Sequence, residues 1–243
     1  MICSRGWDLH KTPGMLVILI TKKCNLKCKY CYVDRNQTSA EVSFPKLKKK
    51  ITRALRNMPY IKSILFFGGE PLLKLDDLKE LVVHVKKIRS EMNFIVSTNG
   101  TLLTEDVVSF FKKHNVSIIL SLDGKKEDND EIRRFDGQGS VYDKIVGKLH
   151  LMNGLKTMIN VVVRPDNSEN LPENVKHLNK LGFKHIKVFP DIEHNWSKKE
   201  VDIFEKNFME LVNYFMGFPH VVLEDLENFK RVLSRNGSNM CSQ

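Results

Sequence analysis

Residues 21–33 read TKKCNLKCKYCYV, with three cysteines inside eight positions and no fourth nearby. Disulfides take cysteines in pairs, and a structural zinc ion takes four ligands. Three thiols spaced C-x3-C-x2-C, at Cys24, Cys28 and Cys31, suit a metal centre with one position left open. Thiolates in such a loop can hold one face of a [4Fe-4S] cluster, which leaves the fourth iron to a small molecule. The competing reading is a zinc site completed by Cys3, Cys241 or His10. Neither spare cysteine stands at a zinc-typical spacing from the triplet.

Immediately before this stretch, residues 15–21 (MLVILIT) form an apolar run of strand length. Similar runs recur at 63–69, 93–99, 116–123, 157–163 and 185–190. Their nearly continuous apolar character predicts strands buried on both faces. Helix patterns lie between them at 44–57, 76–91, 104–114, 139–153 and 171–181, with two more at 198–217 and 224–235. Ser43 with Pro45, and Thr104, mark helix starts. Strand and helix in alternation imply parallel strands joined by right-handed crossovers. The expected fold is α/β, a partial TIM-type (β/α)6 barrel of parallel strands with flanking helices; an open doubly wound sheet is the alternative. The expected organisation is an N-terminal segment 1–14, one core domain 15–217, and a C-terminal segment 218–243 carrying the last helix. Polar and glycine-rich motifs follow the strands: TKKC, GGEP, STNG, SLDG and FPD. In parallel α/β folds these C-terminal strand ends form the active face.

The chain has 243 residues, 42% of them hydrophobic, enough for a sizeable core. No run of about 18 apolar residues is present, so no membrane-spanning helix is expected. The opening MICSRGWDLHKTPG lacks the apolar centre of a secretory signal, which predicts a cytoplasmic protein. Five cysteines in that compartment are reduced thiols or metal ligands. The net charge of +10 could attract an anionic partner, but it reads more simply as a solvated lysine-rich surface. The run Lys46, Lys48, Lys49 and Lys50 has no interleaved aromatic platform, so nucleic acid is not an expected partner.

The cysteine triplet with Tyr30 before its last member, followed after the second strand by Phe67, Gly68, Gly69, Glu70 and Pro71, resembles the radical S-adenosylmethionine superfamily. The two motifs together, in this α/β register, are far more specific than either alone. The resemblance implies a [4Fe-4S] cluster on Cys24, Cys28 and Cys31, whose open iron takes the amino and carboxylate groups of S-adenosylmethionine. Reductive cleavage of that cofactor would yield a 5′-deoxyadenosyl radical. It also implies that Tyr30 packs near the adenine or the cluster. Gly68 and Gly69 would let backbone carbonyls approach the methionyl ammonium, and Glu70 would hold the turn or support that ammonium. Ser97 and Asn99 of STNG would lie near the ribose or methionyl group, although Asn-Gly also favours a turn by itself.

SLDG, residues 121–124, resembles the branch of that superfamily that modifies peptides and proteins, including the anaerobic sulfatase-maturing enzymes. The branch implies that Ser121 and Arg133 contact the cofactor carboxylate, with Arg134 as the neighbouring candidate. Asp123 would orient the loop; Asp130 matches the branch, and Asn129 replaces a histidine common there. A peptide or protein substrate is implied, with an external electron donor such as flavodoxin or ferredoxin. A cysteine-rich C-terminal extension is usual in those relatives, whereas here only Cys241 stands there, in NGSNMC; a natural minimal enzyme, the stub of a truncated extension, and a site completed by a second subunit are the three readings. Other readings are an activase of a glycyl-radical enzyme, a small-molecule radical enzyme, and a non-catalytic metal protein binding RNA or a partner. No catalytic base is assigned. Asp191, Glu193 and His194 lie on the expected active rim, where an ordinary polar loop is the simpler reading. His84, His114, His150, His177 and His185 read as surface or packing residues, and the methionines as core filling.

Overall fold

The computed structural model describes residues 14–33, 42–191, 193–216 and 222–224. Seven strands follow one another across the sheet in chain order. They are β1 (Gly14–Thr21), β2 (Ile61–Gly68), β3 (Asn93–Thr98), β4 (Val116–Ser121), β5 (Thr157–Val163), β6 (His185–Pro190) and β7 (Val222–Glu224). The pairs β1/β2, β2/β3, β5/β6 and β6/β7 are parallel. A doubly wound sheet reverses its strand order partway. Unbroken chain order with right-handed crossovers instead places every helix on one face, which is barrel topology.

Helices α1 (Phe44–Asn57), α2 (Leu75–Ile88), α3 (Glu105–His114), α6 (Leu171–Lys180) and α7 (Lys198–Met216) fall where periodicity places them. The Thr104 side chain accepts the Val107 N–H and caps α3. Ser43 makes no side-chain cap, and Pro45 fills the first turn of α1 instead. The helix expected over 139–153 is broken into α5 (Val141–Val146) and a 3-10 turn, Leu149–Met152. Gly147 stands between the two pieces and lowers the propensity for a continuous helix. A short helix, α4 (Lys126–Ile132), was not expected from so polar a segment; Glu127 and Asp128 in its first turn favour it electrostatically. The helix expected over 224–235 lies outside the described residues except for Glu224, which ends β7.

Burial in the strands is one-sided, which corrects the expectation of two buried faces. Ile64, Phe66, Phe94, Val96, Ile118, Leu120, Ile159, Val161, Ile186 and Val188 are buried. Their alternating neighbours are less covered, to the point that Val17 is 56% and Phe189 40% exposed. With helices on one side only, the other face keeps contact with solvent. The methionine expectation also fails. Met92 and Met152 are buried, whereas Met15, Met58, Met209 and Met216 are exposed.

The contacts divide the chain into two compact units. One takes in the described residues up to Asn25, then Val33–Ile119 and Lys148–Lys156. Its core stacks Phe66 on Phe94 at 6.2 Å, beneath Leu55, Leu78, Leu81 and Phe111. The other takes in Leu26–Tyr32, Leu120–Gly147 and the described residues from Thr157 onward. Its core packs β5 and β6 with Leu178, Phe204, Phe208 and Leu211, and Trp196 meets Phe204 edge-on at 5.6 Å. No helix among the described residues is long and apolar enough to cross a membrane.

Candidate functional site

In the first unit, the GGEP turn is built against the segment that leads into Cys24. The Gly69 N–H donates to the Thr21 carbonyl and the Glu70 N–H to the Lys23 carbonyl, both at 2.8 Å. A Cβ on Gly69 would stand 2.1 Å from the Lys23 oxygen. Gly68, at φ +144°, would put one equally close to the Thr21 oxygen. The close approach that demands glycine is therefore made to the protein's own backbone.

Glu70 is fully buried and binds three protein donors. Its Oε1 accepts the Leu72 N–H at 2.9 Å and the Thr98 hydroxyl at 2.8 Å. Its Oε2 accepts the Asn99 N–H at 2.8 Å. Of the two roles expected for Glu70, holding the turn is the one these bonds describe; they tie the end of β2 to the end of β3. Thr98, the residue that anchors this brace, was passed over in favour of Ser97. Ser97 points to the opposite, partly exposed face of β3. Asn99 donates from Nδ2 to the Asn25 side chain at 2.9 Å and approaches the Cys24 sulfur at 3.9 Å. Its Oδ1 accepts the Thr101 hydroxyl at 2.7 Å, and Asn25 donates to that same hydroxyl at 2.8 Å. Asn25 and Thr101 were also missed; the available signal was their adjacency to Cys24 and to STNG.

Burial pushes the Glu70 carboxyl above its ordinary 4.5, while the Asn99, Leu72 and Thr98 donors pull it back. A raised folded-state value means that the folded chain holds a proton that the unfolded chain has already lost. The contribution of this carboxyl to stability therefore falls as pH rises from 4.5 through the folded value. Urea unfolding across that range should show wild type losing stability relative to Glu70→Gln, whose side chain does not titrate. A pH-independent difference between the two would refute the shift.

In the second unit, the later cysteines share a neighbourhood with the SLDG segment. Leu26 bridges Phe135 antiparallel, the Lys27 N–H donates to the Arg134 carbonyl, and the Lys29 N–H donates to the Ile132 carbonyl. This ladder sets Tyr30 beneath Arg133, with the guanidinium 5.2 Å from the ring centre. Arg133 is 4% exposed and makes a fork to Asp123, Nε to Oδ2 at 2.8 Å and Nη2 to Oδ1 at 3.0 Å. The Tyr30 hydroxyl donates to Asp123 Oδ2 at 3.2 Å, and the Val162 N–H to Oδ1 at 2.9 Å. Asn129, wholly buried, accepts the Asp123 N–H at 3.1 Å. Asp130 accepts the Tyr142 N–H at 2.8 Å and so joins α4 to α5. Burial alone would lower the Arg133 pKa, but Asp123, Tyr30 and Cys28 more than restore it, and the guanidinium stays charged. Burial likewise holds the Tyr30 phenol neutral, well above its ordinary range. Arg134 is exposed and donates to the Glu131 carbonyl, so of the two arginines Arg133 is the buried cation. Ser121 ends β4, partly buried.

None of Cys24, Cys28 and Cys31 is disulfide-bonded, and all three are partly exposed. Among the described residues no three His, Cys, Asp or Glu side chains are grouped so as to hold a single metal ion. The other zinc ligands considered, Cys3, His10 and Cys241, lie outside the described residues. On the rim, Asp191 is 5% exposed and accepts His194 Nδ1 at 2.7 Å and the Glu193 N–H at 3.1 Å.

The chain is similar to a cysteine-type anaerobic sulfatase-maturating enzyme of Clostridium novyi (strain NT), at 29% identity over 75% of this chain and 52% of that one. It is similar to a GTP 3′,8-cyclase of Clostridium perfringens at 27% identity, over 81% of this chain and 61% of that one. In three dimensions it matches native anSMEcpe with bound AdoMet and Kp18Cys peptide, with a TM-score of 0.76, 22% identity, and 86% of this chain covered against 62% of the other. The match bears out the partial-barrel fold. The chain spans little more than half the length of these curated relatives. Radical S-adenosylmethionine enzymes use a [4Fe-4S] cluster and S-adenosylmethionine, the pair that the resemblance of the cysteine triplet and GGEP implied. The Radical SAM superfamily model matches residues 18–206, and the chain belongs to that superfamily of enzymes.

Proposed function

We propose that this chain initiates radical chemistry on a side chain of a peptide or protein. Cys24, Cys28 and Cys31 hold the cluster, and Arg133 receives the cofactor carboxylate. The observation that carries the assignment is the Asp123–Arg133–Tyr30 assembly beside Cys28. A buried guanidinium, fixed in charge and orientation by a carboxylate, suits a carboxylate ligand through its remaining donors. When bound together, the cluster and S-adenosylmethionine supply a 5′-deoxyadenosyl radical able to remove a hydrogen atom from a substrate.

The chain's own residues do the holding. Glu70 fixes the backbone of Asn99, and Asn99 directs its amide toward Cys24. The neutral Tyr30 phenol covers the guanidinium without adding charge. Gly68, Gly69, Ser97 and Ser121 are assigned to the cofactor's methionyl and ribose parts. An external donor such as flavodoxin or ferredoxin supplies the electron.

The peptide reading draws support from the anSMEcpe structure that carries a bound peptide. A small-molecule substrate is the second reading, favoured by the likeness to GTP 3′,8-cyclases. The test is anaerobic. The protein is reconstituted with iron and sulfide, reduced, and given S-adenosylmethionine, and 5′-deoxyadenosine is measured by mass spectrometry. Formation of 5′-deoxyadenosine is expected. None from a protein with a full complement of cluster iron would overturn the proposal. Deuterium transfer into 5′-deoxyadenosine from labelled peptides or from labelled GTP then separates the two substrate classes.

A further inference from the structure

Arg164 follows β5 directly, and the β5/β6 register, continued by one pair, sets it beside Asp191. By strand alternation it shares a face with Val162, and Asp191 shares one with Phe189; this is the half-covered face of the sheet. The guanidinium is mostly buried. Its Nη2 lies 3.2 Å from His194 Nε2 and 3.2 Å from the exposed carboxylate of Asp166. Its Nε is buried with no hydrogen-bond partner, the one such side-chain atom among the described residues. A buried donor without an acceptor costs stability and needs a reason.

The imidazole beside it is equally specified. Arginine only donates, so His194 Nε2 accepts from Nη2 and the ring proton resides on Nδ1, facing Asp191 Oδ2 at 2.7 Å. Asp191 is held in place through three further bonds. Its N–H donates to the Val163 carbonyl, its Oδ1 accepts the Glu193 N–H, and its carbonyl accepts the Trp196 indole N–H. His194 and Asp166 thus share one arm of an arginine fork whose other arm, Nε, has no hydrogen-bond partner.

We propose that Arg164 is a subsite for a carboxylate of the substrate, with His194 and the exposed Asp166 sharing Nη2 until that carboxylate arrives. This rests on the peptide reading above and adds a requirement, an acidic group on the substrate. The Nε–Nη2 edge of a guanidinium presents two parallel donors matched to the two oxygens of a carboxylate. Asp166 and Asp191 already offset the single positive charge of Arg164, so a phosphate dianion is disfavoured more strongly than a monoanion.

The test uses the reconstituted 243-residue chain and N-acetyl-aspartate N-methylamide as the probe. The His194 imidazole signal, assigned by its loss in His194→Gln, is followed by NMR. A saturable shift is expected with the aspartate probe and none with its asparagine counterpart. In Arg164→Gln the aspartate affinity should fall at least about tenfold, the scale of a charge-assisted pair. Arg164→Lys, which keeps the charge but loses the fork, should also weaken binding. No shift, an equal shift with the asparagine probe, or unchanged affinity in Arg164→Gln would each overturn the assignment. Saturation by inorganic phosphate alone would also overturn it, in favour of a phosphorylated ligand. Because the readout is binding, it stands or falls apart from 5′-deoxyadenosine formation. Wild-type 5′-deoxyadenosine formation tests the radical reading separately: it is absent if that reading fails, whatever the probe binding shows.

Discussion

Asp123→Ala is expected to lower the stability of the folded chain by about 3 to 5 kcal/mol, because it leaves a buried cation unpaired. Few residues here accept so many bonds. The carboxylate takes both arms of Arg133, the Tyr30 hydroxyl and the Val162 N–H. Its loss orphans all of them at once, and none can turn to water while Arg133 stays buried. For a chain of this size, a loss of that order lowers the melting temperature by about 10 °C. Calorimetry or urea unfolding reads the effect. The double variant Asp123→Leu with Arg133→Met removes both charges together. Replacing a whole buried pair by apolar groups is often close to neutral, so the double variant should recover most of the lost stability. It should not recover 5′-deoxyadenosine formation if Arg133 receives the cofactor. Full recovery of both would remove Arg133 from the site. No loss in the single variant would mean that the buried ion pair carries no weight.

Cys28→Ala is expected to abolish 5′-deoxyadenosine formation and to reduce bound iron and sulfide after reconstitution. Three thiolates are the whole protein ligand set proposed for the cluster, so removing one leaves an iron without its donor. Cys28 also neighbours Tyr30 and Arg133. The alanine variant thus isolates ligation only if that assembly survives. Cys28→Ser keeps the volume and serves as the control. Near-ultraviolet circular dichroism should be unchanged in both apo variants, while iron content falls. Retention of full iron and product formation by Cys28→Ala, which offers no donor atom, would exclude Cys28 as a ligand.

Much of this was legible because the motifs are contiguous and stand at strand ends. C-x3-C-x2-C, GGEP, STNG and SLDG need no long-range information to be noticed. What each residue does within its motif was not legible, because that depends on partners far away in the chain. Glu70 stood open between holding the turn and supporting the cofactor's ammonium, and only its bonds to Leu72, Thr98 and Asn99 favour the turn. The glycines beside it were read as making room for a ligand, and they make room for Thr21 and Lys23. The one-sided burial of the sheet was invisible for another reason. Leu65, Phe67, Ile95 and Val162 are as apolar as the buried residues they alternate with, so no period-two signal appears. Between Arg133 and Arg134 the sequence offered no choice; the pairing of Lys27 and Lys29 with residues 132–134 decides which one turns inward.

That pairing also sets a timetable for biosynthesis. Tyr30 and Asp123 stand 93 residues apart, so the cysteine segment leaves the ribosome long before the strand that secures it exists. At common elongation rates the delay is roughly five to twenty seconds. During it Cys28 and Cys31 lack their partners around Arg133, whereas the Cys24 segment is already met by Gly69, Glu70 and Asn99. Cluster delivery to a nascent chain would meet an unformed cradle. If Cys28 and Cys31 hold the cluster as proposed, loading belongs after translation has passed α4.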